Sequence, residues 1–416
     1  MKKVIGMLAV VALVSSVASA ELLKNFKYNG SIEAAGININ NASDFNKNAG
    51  DKYGDVKNRV MINAGFDLNE DVSANVAVNK CDRNFGNAPQ TVAAGTADTF
   101  QFEEAYLTLR GVLGLNHKVG RQYYGKAGDI VIYYGPANWY THGLNAFNVG
   151  LDGWYADWSK DKLGVTALVA KTSEINGITN TDKDLYGVTA SYDYSDIVKP
   201  GVYVYEQKDR SVATNKLNNL EVAGVKAAGK YAGFNYSGEY AMNMGNNSNV
   251  ATDQKYKGSA LKVNADYGID FMGKVVVMGE FARGTGDKVA ADKSNKGFVA
   301  INSNYRPGLI AGGVNAGAFN PTGLNNLTTW NLGANWTPEN LNKLNLEAKY
   351  YSFSYTEKKV NGFAPIGTEA DLVATWNHSQ NVALKAGLAM FMPDKYKLAT
   401  KDDSVSLMSL YMNVKF

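Results

Sequence analysis

The chain has 416 residues and a formal net charge of +3, too little excess of either sign to mark a nucleic-acid binder. Cys81 is the only cysteine, which excludes a disulfide framework. Glycine (42) and tyrosine (25) are abundant and proline (8) is scarce, a composition suited to close-packed, tilted strands and to aromatic girdles at a membrane interface.

The first twenty residues, MKKVIGMLAVVALVSSVASA, have a basic start at Lys2 and Lys3, an apolar stretch and small residues at Ala18, Ser19 and Ala20. This is the layout of a secretory signal peptide over 1–20, with cleavage expected before Glu21. Loss of two lysines leaves residues 21–416 near neutral. No later apolar run approaches the length of a spanning helix.

From about Phe26 onward, segments of about ten residues alternate in polarity, the period of a strand with one apolar and one wet face. In KNRVMINAGFDL, Val60, Ile62, Ala64, Phe66 and Leu68 oppose Arg59, Asn63 and Asp67. In FEEAYLTLR, Ala105, Leu107 and Leu109 oppose Glu104, Tyr106, Thr108 and Arg110. Lys118 takes the polar face of the next segment. In VVVMGEF, Glu280 faces away from Val277 and Phe281. Later come Glu347 and Lys349, then TEADLVATWN with Glu369 and Asp371 opposite Leu372, and NVALKAGLAMF with Lys385 opposite Leu384 and Leu388. The final stretch, SVSLMSLYMNVKF, sets Met408, Leu410, Met412, Val414 and Phe416 on one face.

Short turns take turns with long polar stretches, at 40–56, 81–99, 123–148, 243–255 and 284–295. Short connections on one side and long ones on the other are the layout of an outer-membrane barrel. The expected fold is all-β, a transmembrane antiparallel β-barrel of about 18 strands. The glycine-rich GLIAGGVNAGAFNPTG reads as a loop turned toward the pore mouth, and an extra strand pair there would make 20. The last strand closes on the first, leaving no edge. Its terminal Phe416 resembles the element by which outer-membrane assembly machinery recognises barrels. Outer-membrane lipid and lipopolysaccharide are the expected surroundings.

No HExxH, CxxC, GxSxG or Walker A stretch occurs, so no catalytic, cofactor or metal residue is assigned. His142, in YTHGLNAFN, is the one histidine placed for catalysis at a rim, and reads better as a loop histidine. Acid pairs such as Asp182 and Asp184, or Asp402 and Asp403, lack EF-hand spacing. The chemistry therefore lies in the lumen. Charge facing lipid at mid-depth is costly, whereas mixed charge across water sets the selectivity of a channel. Only seven arginines occur, and the two signs nearly balance, where a polyanion pathway calls for a lopsidedly basic lumen.

FEEAYLTLRGVLGLNHKVGRQYYG, NAFNVGLDGWYADW, GLNNLTTWNLGANWTP, GTEADLVATW and KAGLAMFMPD, in that order, resemble the alginate-export family of outer-membrane porins. The resemblance implies eighteen strands around an electropositive constriction, with periplasmic and extracellular elements gating it. By position it implies Arg121, Asp152, Glu369 and Asp371 in the pore wall. Strict alternation objects at Arg121, which shares parity with Leu115 and Val119, and a bulge would be needed to re-aim it.

The reading is a porin passing small hydrophilic solutes and ions by diffusion, lined by Arg59, Glu104, Arg110, Lys118, Arg121, Asp152, Glu280, Glu347, Lys349, Glu369, Asp371 and Lys385. The aromatic 123–148 loop narrows it or serves as a sugar slide, packing against the wall being the simpler role. The alternatives are an exporter of an anionic polysaccharide such as alginate, a rim enzyme, and a plugged structural or adhesive barrel.

Overall fold

The computed structural model describes residues 24–416 apart from 43–44, 49, 85–100, 137–149, 175–181, 211–216, 249–252, 290–291, 315–318, 320, 322, 359–363 and 395–400. The expected signal peptide at 1–20 and His142 lie outside the described residues. Twenty strands share one sheet, and two of them, Gln254–Tyr256 and Ser294–Asn295, are short pieces beyond the wall. The wall itself has eighteen. They are β1 (Lys24–Asn40), β2 (Tyr53–Asp67), β3 (Val72–Asn84), β4 (Gln101–Val112), β5 (Leu115–Gln122) and β6 (Leu151–Lys160). Next come β7 (Leu163–Ser173), β8 (Lys183–Tyr192), β9 (Lys199–Asp209), β10 (Asn218–Tyr231), β11 (Phe234–Asn247) and β12 (Ser259–Asp270). The last six are β13 (Gly273–Gly284), β14 (Leu327–Pro338), β15 (Leu344–Tyr355), β16 (Pro365–Asn377), β17 (Val382–Pro393) and β18 (Val405–Lys415).

Each wall strand pairs antiparallel with its sequence neighbours, and β18 returns to β1 from Ser31↔Lys415 to Asn40↔Ser406. Closure removes every unpaired edge, which is the condition for a sheet to sit in hydrocarbon. One end of the barrel has tight turns. At the β10–β11 hairpin Ala232 and Gly233 both take positive φ, 48° and 86°, the two-residue geometry that matches strand twist. The other end carries the long connections.

Alternation decides the two faces. Val202 and Val204, Leu372, Leu388, Met408 and Leu410 all stand outward and exposed, while their sequence neighbours Tyr203, Asp371, Ala389 and Ser409 are buried inside. An apolar exterior around a polar interior is the pattern of a membrane barrel. The final strand follows it, with Met408, Leu410, Met412 and Phe416 outward.

At the seam, Gly30 and Phe416 exchange backbone hydrogen bonds of 2.9 and 3.1 Å. A Cβ at Gly30 would lie 2.5 Å from the Met61 carbonyl oxygen and 2.6 Å from the Phe416 ring. Gly30→Val is therefore expected to overpack the closing strands by about 1–3 kcal/mol. The check is the urea midpoint of the refolded barrel, and an unchanged midpoint would show that the seam relaxes freely.

The lumen has two tiers. At the long-loop end the inner faces are apolar and buried: Leu168, Leu185, Val222, Phe353 and Phe391 from the wall meet Phe45, Ile130, Ile132, Phe298 and Ile310 from loops. Residues 298–314 form a loop turned into the barrel rather than a strand pair, ending in a wide helical turn at Ile310–Val314. At the short-turn end the inner wall is polar and open.

Candidate functional site

Two inward segments, 123–136 and 298–311, meet across the middle of the lumen. Ile132 and Asn302 form a parallel bridge. Around it the backbone bonds Tyr133 N–H to Asn302 oxygen (2.8 Å) and Asn304 N–H to Asp129 oxygen (3.1 Å) complete the join. Side chains reinforce it, with Ser303 Oγ donating to the Asp129 carbonyl at 3.1 Å and Asn304 Oδ1 accepting from Gly128 N–H at 3.1 Å. The first segment is aromatic because it needs flat rings to pack. Tyr124 meets Tyr155 and Tyr205 edge-on at 6.2 and 6.3 Å, and its hydroxyl lies 3.1 Å from that of Tyr205. Wall packing, not a free slide, is what these rings do, and Trp139 and Tyr140 lie outside the described residues.

Charged side chains of the wall grip both segments. Lys226 on β10 reaches Asp129 at 2.8 Å and Glu239 on β11 at 3.3 Å, and the Tyr203 hydroxyl donates to Glu239 at 2.7 Å. Lys262 on β12 donates to the Gly128 carbonyl at 2.9 Å and lies 3.6 Å from Glu280. Tyr305 donates to Glu280 at 2.8 Å. Burial first, and then the Glu280 carboxylate, push the Tyr305 hydroxyl well above its ordinary range, so it remains a donor.

On the far wall, Glu369 and Asp371 hold the second segment by its backbone. Ile310 and Ala311 donate to the two oxygens of Glu369 at 2.7 and 2.9 Å, and Leu309 donates to Asp371 at 3.0 Å. Successive N–H groups aimed at one anion form a nest. Gly308 makes the approach possible at φ 85°, since a Cβ there would stand 2.7 Å from the Glu369 carboxyl.

Below these segments lies a cavity of about 1640 Å³. Glu280, Glu347, Lys349, Asp371, Lys385 and Lys118 border it, as do Lys226, Lys262, Glu239, Asp266, Lys126 and Arg306. Glu347 and Lys349 pair at 3.0 Å along one strand. Lys118 pairs with Glu104 at 3.6 Å and sits 3.7 Å over the Tyr106 ring. Acids and bases thus face the same water.

The other expected lining residues sit elsewhere. Arg59 is inward but buried against Glu33 at 2.5 Å. Arg110 lies at the short-turn lip, donating to the Glu70 carbonyl and Ser73 Oγ, both at 3.1 Å. Glu369 is fully buried, a loop anchor rather than a pore charge. Two placements must be corrected. Arg121 and Asp152 are cross-strand partners in an unbroken register, on the face of Val119, which is 43% exposed. They form a two-pronged pair of 2.9 and 2.6 Å outside the wall. No bulge re-aims Arg121, so alternation prevails.

The bulge lies one strand earlier. Ala77 pairs with Glu104 and Val78 with Phe102, so Glu103 has no partner of its own. Glu103 and Glu104 both turn inward, and buried Glu103 accepts from Asn79 at 2.6 Å and from the Tyr123 hydroxyl at 3.4 Å. Of the histidines, His117 is fixed between the Val112 carbonyl (2.9 Å) and the Trp154 indole N–H (3.2 Å) on the outer face. Asp182 and Asp184 are bound to Lys171 and Arg210.

The family model described as Alginate export matches residues 35–405. None of the curated proteins compared matches the chain. Among solved structures it is similar to OccK11 (OpdR) of Pseudomonas aeruginosa, at 12% identity, TM-score 0.60, covering 94% of this chain and 96% of that one. OccAB4 of Acinetobacter baumannii follows at 12%, TM-score 0.59, with 95% and 98% covered. The outer membrane protein OprD of Pseudomonas aeruginosa gives 10%, TM-score 0.58, with 95% and 94% covered. At these identities the likeness is one of fold.

Proposed function

The chain belongs to the alginate export family, and from that premise we propose that it is an outer-membrane porin, a passive channel for small hydrophilic solutes and ions and not an enzyme. The observation that carries the reading is the 1640 Å³ cavity, bordered by acids and bases, inside a closed wall with an apolar exterior. Water-filled space lined by both charge signs lowers the barrier for ions without a binding step strong enough to trap them. The joined segments 123–136 and 298–311 act as the constriction. Lys349, Glu347, Lys385 and Asp371 set selectivity beneath it, with Lys118 and Glu280 on the facing walls.

The test is single-channel conductance of the purified barrel in a planar bilayer, with reversal potential in a salt gradient. Ohmic steps of weak selectivity are expected, and Lys385→Glu should move the reversal potential toward cations by several millivolts. Folded protein that never conducts would replace this reading with a plugged structural barrel.

Export of an anionic polysaccharide is the second reading. It is favoured by Lys126 and Arg306, which border the cavity without a recorded ion pair among the described residues, Arg306 reaching only the Gly312 carbonyl. Strong anion selectivity, with current blocked by alginate oligomers from the short-turn side alone, would make it the first.

A further inference from the structure

Below the joined segments the lumen is divided by charge. On β10 to β13 the cavity is bordered by Lys226, Glu239, Lys262, Asp266 and Glu280, and on β15 to β17 by Glu347, Lys349, Asp371 and Lys385. The sector β6 to β9 is different. Apart from Lys199, paired with Asp193 of the adjoining turn at 3.1 Å, no charged residue of these four strands borders the cavity among the described residues.

The inward side chains of this sector are hydroxyls set among glycines. Thr166 of β7 faces Thr189 of β8, and two residues nearer the short turns Ser191 stands between Gly164 and Gly201. A Cβ at Gly164 would lie 3.2 Å from Ser191 Oγ, so the missing side chain keeps that hydroxyl open to the lumen. Ser191 is exposed, and Thr166 and Thr189 are half-buried. Thr189 and Ser191 make no side-chain hydrogen bond among the described residues. Directly opposite inward residues have Cβ atoms about 5 Å apart, close enough for one sugar ring to meet two hydroxyls at once. Tyr155 closes the upper end of the strip, with Tyr124 of the first inward segment edge-on to it at 6.2 Å.

Such a wall gives an ion nothing to replace its hydration charge for charge. A polyol finds donors and acceptors like those of water, so each bond to water is exchanged for one of similar strength. The Tyr155 ring adds an apolar face for the C–H side of a sugar. Contact of this kind guides a solute without trapping it. On the neighbouring sector the cations are already engaged, Lys226 by Asp129 and Glu239 and Lys262 by Glu280. They brace the constriction rather than draw ions to this side.

We infer that the strip Tyr155–Thr166–Thr189–Ser191 is a low-affinity path for uncharged polyhydroxylated solutes, such as a hexose, between the constriction and the short-turn mouth. The inference rests on the porin reading above and names the solute class that β6 to β9 favour.

The test is efflux of radiolabelled glucose and of glucuronate, a ring of the same size with one carboxylate, from vesicles holding the full-length barrel. KCl conductance is measured on the same preparation. Glucose is expected to leave severalfold faster than glucuronate. Thr166→Val/Thr189→Val/Ser191→Ala, which preserves the charge of the wall and nearly its shape, should slow glucose severalfold and leave KCl conductance at the wild-type level. Gly164→Ala, crowding one hydroxyl, should give a smaller loss of the same kind, and carries the test if the triple variant fails to fold. Unchanged glucose efflux in the variants would overturn the proposal. So would glucuronate leaving wild type as fast as glucose, which would mean that the charged sectors set the path. A parallel fall in glucose efflux and KCl conductance would overturn it as well, the variants having only narrowed the bore. Wild-type barrel that passes no KCl is a different failure, since it removes the porin reading and this inference with it.

Discussion

Arginine in place of Leu410 is expected to cost the barrel about 2–4 kcal/mol of stability in a bilayer. Leu410 lies midway along β18, between Tyr411 and Ser409 of the inner face, and is 53% exposed on the outside. It pairs with Gly36 of β1 and Ala386 of β17, small neighbours that give a guanidinium nothing to bond. Snorkelling to either interface is a long reach from mid-strand, so the penalty stands near its midplane value. The measurement is a urea unfolding series in lipid vesicles beside the same series in detergent. A loss confined to the vesicles locates Leu410 in hydrocarbon, whereas equal stability in both would refute the assignment of the outer face to lipid.

Removal of the Glu369 carboxylate should open the constriction. Two buried N–H groups, of Ile310 and Ala311, end on its oxygens, and each would be left without an acceptor at about 1–3 kcal/mol. Glu369→Gln retains one acceptor oxygen and should fall between wild type and Glu369→Ala. Asp371→Asn, which touches one donor, should be mildest. With its tip released the 298–311 segment is expected to leave the lumen intermittently, seen as larger and noisier conductance steps in the order Ala, Gln, wild type. If stability drops in that order while conductance is unmoved, the segment is only structural and the barrier to ions lies elsewhere.

Much of the wall was legible because a period of two permits only two answers at each position. Once Leu372 and Leu388 are placed in lipid, Glu369, Asp371 and Lys385 have to point inward, and the structure has them so. The same rule, applied at Val225 and Tyr240, would have found Lys226 and Glu239, whose neighbours stand exposed on the outside. It fails where one residue is inserted. Glu103 has the parity of Ala105 and Leu107, and only the bulge opposite Ala77 turns it inside. Alternation also outweighed the family resemblance at Arg121, where an uninterrupted register left nothing to re-aim the side chain. Loop partners were beyond reach. Nothing around Asp129 in the sequence tells that Lys226, 97 positions later, will meet it, because such contacts depend on where two long connections fall after closure.

The apolar upper tier bears on any effort to turn this barrel into a sensing nanopore. Trimming the inward connections looks like the obvious way to widen the bore. Leu168, Leu185, Val222, Phe353 and Phe391, each at most 2% exposed, would then line a wet tube, at about 1.5–3 kcal/mol for each side chain uncovered. A bore lined that way repels water or gathers greasy contaminants, and would give intermittent current however wide its frame. The practical route is to re-surface those five positions with serine, threonine or asparagine in the same step as the trimming, so that the new wall is already wettable when the inward connections are gone.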